Sequence, residues 1–173
     1  MKPNPRIVAS LLGRAQVAMA ISCLGSLLTK SHDPLGLRLH DDGTLGPEER
    51  ERLAVALGNP EIVSRSEADD RTAPWLKNRP ALAALRRRHP LFLKLVDLIA
   101  LAPDGPTSAD SVAYVDADVL FVRPLVNLFV DLPRNQGAVF MADVQNAYSV
   151  RSWHLLFEPR LQLPARLNSG LFQ

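Results

Sequence analysis

Two aspartates, Asp116 and Asp118, lie inside an apolar stretch, SVAYVDADVLFVRPL, that covers residues 111–125. The β-branched and aromatic residues around them are typical of a buried strand. If the strand continues through both aspartates, its two-residue repeat points both carboxylates to one side. At roughly 6 Å and an effective dielectric of ~20, two such charges repel by about 3 kcal/mol, and burial adds to that cost. The sequence therefore predicts a positive group beside them.

Carboxylate oxygens suit hard divalent cations, so an Asp-x-Asp at the end of a strand is a candidate ligand pair for Mg²⁺ or Mn²⁺. Such an ion, bridging a diphosphate, stabilises negative charge on a leaving group. An isolated Asp-x-Asp is more often a solvated turn. The apolar setting of Asp116 and Asp118 favours the metal site over the turn.

The elements that position these residues follow from hydrophobic periodicity and turn signals. Strands are predicted at residues 6–12, 35–39, 61–65, 112–122 and 137–144, with the start of another in PARLNSGLFQ. Helices are predicted at residues 15–28, 47–57, 81–88 and 91–101, with a less regular stretch through residues 66–80 and a loop at 102–110. Alternating strands and helices predict an α/β domain with a mostly parallel sheet flanked by helices.

Polar clusters follow three of the predicted strands. They are Gly13-Arg14, Asp41-Asp42-Gly43 and Asp116-Ala117-Asp118. In open parallel sheets, ligands sit beyond the carboxyl ends of the strands. The three clusters are therefore expected to meet at one edge, and this shared position indicates a binding site more strongly than any single cluster does.

The composition is that of one soluble globular domain, with 173 residues, 47% hydrophobic and 22% charged. A net charge of +2 is too small to indicate a nucleic-acid binder. Cys23 is the single cysteine, so no intrachain disulfide is possible, which is compatible with a cytoplasmic location. The apolar run at residues 15–28 is too short to span a bilayer, so we expect a buried helix and no transmembrane segment.

The segment AYVDADVLFVRPL, with FLKLVDLIAL upstream and LNSGLF downstream, resembles the signature set of GT-A-fold nucleotide-sugar glycosyltransferases. The resemblance implies a GT-A-like (Rossmann-like) sheet and a bound Mn²⁺ or Mg²⁺. It implies that Asp118 is a metal ligand and that Asp116 contacts the metal or the ribose. The implied partner is a nucleoside-diphosphate sugar, with a UDP-sugar favoured, and the implied reaction is transfer of the sugar to an acceptor hydroxyl.

The same resemblance implies further donor contacts. Lys94 belongs to the helix before the metal strand, near the donor phosphates or sugar; the alternative is a surface ion pair with Asp97, three residues on. Arg14, in a segment similar to the family's first strand and helix, is a nucleotide contact or a solvated charge. Asp42 ends a segment similar to the second strand, and it contacts the nucleotide or caps a turn. Asn168, in Asn-Ser-Gly, faces the donor sugar or forms a turn.

In one respect the chain departs from the family pattern. The family's chain continues beyond its Asn-x-Gly element, supplying the acceptor side and often a histidine that completes the metal shell, whereas three residues follow Gly170 here. The expectation is a single nucleotide-sugar-binding domain over residues 1–173 that lacks the family's C-terminal acceptor part, with a sheet incomplete on that side. The sequence names no general base.

Two other functions stay open. One is a non-catalytic remnant that binds a nucleotide sugar weakly or not at all. The other is a haloacid-dehalogenase-like phosphatase with Asp116 as nucleophile and Asp118 as general acid. Against the phosphatase, that family's motif normally lies near the amino terminus, and Leu120 stands where Thr or Val is usual.

A run of three arginines, Arg86-Arg87-Arg88, ends one of the predicted helices. It is either a phosphate or membrane patch or, as is more common for such runs, a solvated helix end favoured by the helix dipole. The four histidines show no metal-ligand spacing.

Overall fold

The computed structural model describes residues 5–100, 113–129, 139–145 and 166–173. In these residues one six-stranded sheet is flanked by helices, which confirms the α/β class. The strands are β1 (Arg6–Leu12), β2 (Leu35–Asp41), β3 (Glu61–Val63), β4 (Ala113–Val115), β5 (Phe140–Ala142) and β6 (Leu167–Phe172). The helices are α1 (Val17–Lys30), α2 (Pro47–Leu57), α3 (Arg65–Leu76), α4 (Pro80–Arg88) and α5 (Leu91–Ala100). None of the helices in the described residues is long and apolar enough to cross a membrane.

The sheet is mixed, with the strand order β3-β2-β1-β4-β6-β5. β3, β2, β1 and β4 run parallel, as the sequence predicts, whereas β6 runs antiparallel to both of its neighbours, β4 and β5. Neighbouring parallel strands need a crossover connection, because a tight turn reverses the chain direction. Because β1, β2 and β4 run in the same direction, their carboxyl ends lie along the same edge of the sheet.

The larger hydrophobic core lies between one face of the sheet and the helices α1 and α2. Val8 and Leu12 of β1 are fully buried in one cluster with Leu24 of α1 and Leu53 of α2. β1 alternates between the two faces of the sheet, so every second residue joins this core. Full burial of each such side chain contributes about 1.5–3 kcal/mol.

Helix α3 corrects the prediction that the chain is irregular between β3 and α4. Ser64 caps this helix, because its hydroxyl accepts a hydrogen bond from the Glu67 N–H at 3.1 Å. Pro74 lies in the last turn of the helix, which ends at Leu76. The missing N–H of the proline therefore removes one intrahelical hydrogen bond close to the point where the helix stops anyway.

The other boundaries agree more closely with the sequence. The helix predicted at residues 15–28 is α1, which follows a 3-10 turn at Arg14–Gln16. The strand predicted at 61–65 ends two residues early, and within the described residues the strand predicted at 137–144 is limited to β5. The loop predicted at 102–110 lies outside the described residues.

His40 lies on the face of the sheet opposite the larger core, because it alternates along β2 with the core residue Leu39. Its side chain is 4% exposed, and its Nδ1 atom has no hydrogen-bond partner among the described residues. The pKa of His40 is lowered from 6.5 to about 4, chiefly by burial; the charges of Arg38 and Arg71 contribute to this shift, and that of Glu61 opposes it. The folded protein therefore holds His40 neutral at neutral pH.

We expect this histidine to lower the free energy of unfolding by about 2 kcal/mol between pH 7.5 and pH 5. The unfolded chain binds a proton as the pH falls through 6.5, whereas the folded chain does so only near pH 4, so acid favours unfolding in this window. Urea unfolding at several pH values measures the loss. The variant His40→Leu has no titrating group at this position. The difference in free energy of unfolding between wild type and variant should therefore change between pH 7.5 and pH 5 by the full amount due to His40. A difference that is constant with pH contradicts the prediction.

Candidate functional site

The three polar clusters predicted from the sequence lie at one edge of the sheet. Leu12, the last residue of β1, is in register with Asp41, the last residue of β2, and β4 runs parallel to β1 on its other side. Asp42 continues this pairing, because its N–H donates to the Leu12 carbonyl at 3.1 Å. Gly13, Asp42 and Asp116 each follow directly after one of these strand ends. This edge is the candidate functional site.

Lys94 supplies the positive group expected beside the aspartates. Its Nζ lies 2.9 Å from Asp116 Oδ1 and also donates to the Ser169 carbonyl. The ammonium sits 4.3 Å from the centre of the Tyr114 ring and 5.6 Å from that of Phe172, within cation–π range. The Lys94 side chain is 11% exposed and that of Asp116 34%. A cation on α5 therefore already offsets the charge of Asp116 inside the protein.

The surface ion pair between Lys94 and Asp97, considered from the sequence, does not form. Asp97 pairs with Arg86 of α4, with Nε to Oδ1 at 2.5 Å and Nη2 to Oδ2 at 3.1 Å. Both side chains of this pair are about 95% buried. Asp69 of α3 accepts a further bond from Arg86. These contacts hold α5 against α3 and α4, and α5 in turn presents Lys94 to the sheet edge.

Tyr114 is a site residue that the sequence analysis missed. Its hydroxyl donates to Asp116 Oδ1 at 2.7 Å, and its ring stacks on Phe172 with centroids 5.0 Å apart. The residue is 1% exposed, and burial together with the negative charge of Asp116 raises the pKa of its hydroxyl, which therefore stays protonated and donates. The signal was present in the sequence, because Tyr114 and Asp116 are two residues apart at the end of a strand.

The two aspartates do not share one continuous strand, which corrects the first expectation. β4 ends at Val115, and the chain turns through Ala117 and Asp118. Asp116 is half-buried, whereas Asp118 is exposed. Burial raises the pKa of the Cys23 thiol of α1, and the negative charge of Asp118 adds to this shift, so Asp118 lies on the α1 side of the edge.

Asn168 and Gly170, on β6, lie next to Asp116. The Asp116 N–H donates to the Gly170 carbonyl at 2.7 Å, and the Asn168 side-chain oxygen accepts from the Gly170 N–H, also at 2.7 Å. A Cβ atom at position 170 would lie 2.9 Å from Asn168 Oδ1 and 3.5 Å from Asp116 Oδ2. Glycine therefore permits this close approach, and within the described part of the chain neither donor hydrogen of the Asn168 amide is used in a hydrogen bond.

Arg14 and Asp42 make local contacts at the same edge. Arg14 Nε lies 3.0 Å from Glu49 Oε1, and its side chain is 64% exposed. Asp42 Oδ1 accepts from the N–H and the hydroxyl of Thr44 at 3.0 and 2.6 Å, as expected of a turn cap. A Cβ atom on Gly13 would lie 2.2 Å from Asp42 Oδ2, so this glycine lets the ends of β1 and β2 come together. No contact among the described residues joins Arg14 or Asp42 to Lys94 or Asp116.

The donor set suits an ion that arrives together with phosphate groups. Among the described residues, no group of three His, Cys, Asp or Glu side chains is arranged to hold a metal ion. Asp116 and Asp118 offer carboxylates from one turn, and Mg²⁺ is commonly held by one or two carboxylates, water and the phosphates of a substrate. The residues present therefore fit a metal–diphosphate complex better than a closed protein cage.

No family model matches the chain, and no curated protein matches it in sequence. Together, sequence and structure define the class, an α/β protein with a mixed six-stranded sheet flanked by helices and a polar edge at its parallel strand ends.

Proposed function

We propose that this chain binds a nucleoside-diphosphate sugar together with Mn²⁺ or Mg²⁺, and that it is the donor-binding part of a glycosyltransferase with a GT-A-like fold. One observation carries the proposal. Lys94 bonds to both Asp116 and Ser169, and this joins the three segments on which the resemblance to that family depends. Those segments are distant in sequence, since Lys94 and Ser169 are 75 positions apart. The convergence supports a shared function for them.

The proposed roles follow from the contacts. Asp116 and Asp118 would hold the ion, which supplies charge neutralisation for the departing diphosphate. Tyr114 and Lys94 fix the Asp116 carboxylate before any ligand binds, because both bond to its Oδ1 atom. Such preorganisation of charged groups avoids reorganisation during the reaction. Lys94 also carries the positive charge closest to Asp116 among the described contacts, and it is placed to attract phosphates.

Thermal unfolding of the purified chain with Mn²⁺ and either UDP or GDP tests donor binding. At about 100 times its dissociation constant, a ligand adds about 2.7 kcal/mol of stability, which raises the midpoint by roughly 5–10 °C in a domain of this size. We expect a shift that requires both Mn²⁺ and one of the nucleotides, with UDP favoured. The variant Asp118→Ala should lose it.

Asp70→Ala is the matched control, because Asp70 is an exposed aspartate on α3 and is not part of the cluster around Lys94 and Asp116. It removes the same charge and should keep the full shift. Absence of any metal-dependent shift in a folded wild-type chain would favour the non-catalytic remnant. Hydrolysis of p-nitrophenyl phosphate that disappears in Asp116→Asn would instead favour the phosphatase.

A further inference from the structure

A cavity of about 350 Å³ lies between α3 and α4. Its lining combines an apolar part, which includes Leu76 and Ala83, with one acidic side chain, Asp69, and four basic ones, Arg65, Lys77, Arg86 and Arg87. Ligand sites of this size are commonly apolar, with a few convergent polar groups that fix the orientation of the ligand. None of the residues that line this cavity belongs to the cluster around Lys94 and Asp116.

The positive charge in this cavity is only partly offset. Arg65 Nε bonds to Asp69 at 2.9 Å, and Arg86 is shared between Asp69 and Asp97. The carboxylates of Asp69 and Asp97 therefore neutralise the charges of these two guanidinium groups. Lys77 and Arg87 have no carboxylate partner among the described residues, and both are exposed at the cavity. The lining carries two uncompensated positive charges.

Arg86 adds hydrogen-bonding capacity inside the cavity. A guanidinium has five N–H donors, and three of those on Arg86 are committed to Asp69 and Asp97. The side chain is 5% exposed and held in place by these bonds, so it is preorganised. A rigid guanidinium in such a position suits phosphate, which it recognises through parallel N–H donors.

We propose that the cavity between α3 and α4 binds a small phosphomonoester that carries an apolar substituent. The two uncompensated cations, Lys77 and Arg87, match a phosphomonoester, whose charge at pH 7 is about −1.5 to −2. The apolar lining at Leu76 and Ala83 accepts the substituent. Binding at this cavity needs no metal ion, which separates it from the proposed donor site at the sheet edge.

Phenyl phosphate is the probe, titrated into isotopically labelled wild-type protein in the presence of EDTA and followed by amide NMR shifts. We expect saturable shifts centred on the amides of Ala73, Leu76 and Ala83, weakened by added salt. Inorganic phosphate should bind more weakly than phenyl phosphate, and phenol should produce no saturable shift. The variants Arg87→Glu and Lys77→Glu should each weaken phenyl phosphate binding at least tenfold.

Arg88→Glu is the matched control, since Arg88 is exposed on the same helix and next to Arg87 but does not line the cavity. It changes the net charge equally and should leave the affinity within about twofold, because adjacent helix positions point roughly 100° apart and an exposed charge outside the cavity is screened by salt. Equal weakening by Arg87→Glu and Arg88→Glu, or no saturable binding to the folded wild type, overturns the proposal. Binding that requires Mn²⁺ and disappears in Asp118→Ala also overturns it, because the anion then occupies the sheet edge.

Discussion

Replacing Arg86 by methionine is expected to lower the free energy of unfolding by about 3–5 kcal/mol, because it leaves a buried carboxylate without its cation. Asp97 is about 95% buried and receives two hydrogen bonds from Arg86. Asp69 still bonds to Arg65 in the variant, so most of the lost stability comes from the unpaired Asp97 carboxylate. Urea unfolding of the wild type and the variant measures the difference.

Two further variants separate the ion pair from simple packing. Arg88→Met, on the exposed side of the same helix, should change stability by less than about 0.5 kcal/mol. The double variant Arg86→Met with Asp97→Leu should recover most of the loss, because a buried pair exchanged for apolar residues is often neutral or stabilising. If the double variant is as unstable as the single one, the unpaired Asp97 carboxylate is not the cause.

Replacing Lys94 by methionine is expected to cost about 2–3 kcal/mol, because Asp116 and the Ser169 carbonyl lose a charged donor. The same change should increase the response to metal. Among the described residues, Lys94 is the only positive group that pairs with Asp116, so Mn²⁺ alone should raise the thermal midpoint of the variant more than that of the wild type.

Lys77→Met removes an exposed lysine far from the sheet edge and should show the wild-type response to Mn²⁺. Adding Asp116→Asn to Lys94→Met should restore part of the lost stability and abolish the enhanced response, since the unpaired carboxylate is gone whereas the Ser169 carbonyl still lacks its donor. An identical Mn²⁺ shift in the wild type and in Lys94→Met would show that Asp116 takes no metal.

Elements whose signals are local were predictable from the sequence. α2 begins at Pro47 and ends at Leu57, where Gly58 caps it with a φ of 74°, the left-handed conformation that glycine adopts at low cost. α3 was missed because Pro74 and Pro80 suggested breaks, although Ala68, Thr72 and Leu76 recur every four residues and all three are buried. That spacing is a helical signal, but small and polar residues make it weak.

The residues of the candidate site were predictable from the sequence, but their hydrogen-bond and ion-pair partners were not. Lys94, Asp116 and Asn168 were named from the sequence, yet nothing local shows that Lys94 bonds to Asp116 and not to Asp97. The pairing of β4 with β6 joins segments that are distant in sequence, and no local pattern encodes it. From the sequence alone, Tyr114 is interpreted as an aromatic residue of the core. The structure shows that its hydroxyl bonds to Asp116 at the end of the strand.

The antiparallel strand β6 also determines when the site can form during folding. β6 pairs with β4, and the bond from Lys94 to Ser169 joins residues that are 75 positions apart. Loop closure costs more entropy as the separation grows, so such contacts form late. The parallel half of the sheet, β1 to β3, can assemble first, with β4 as an edge open to mispairing. Ligand binding at this edge is therefore expected only after β6 has paired with β4, late in folding.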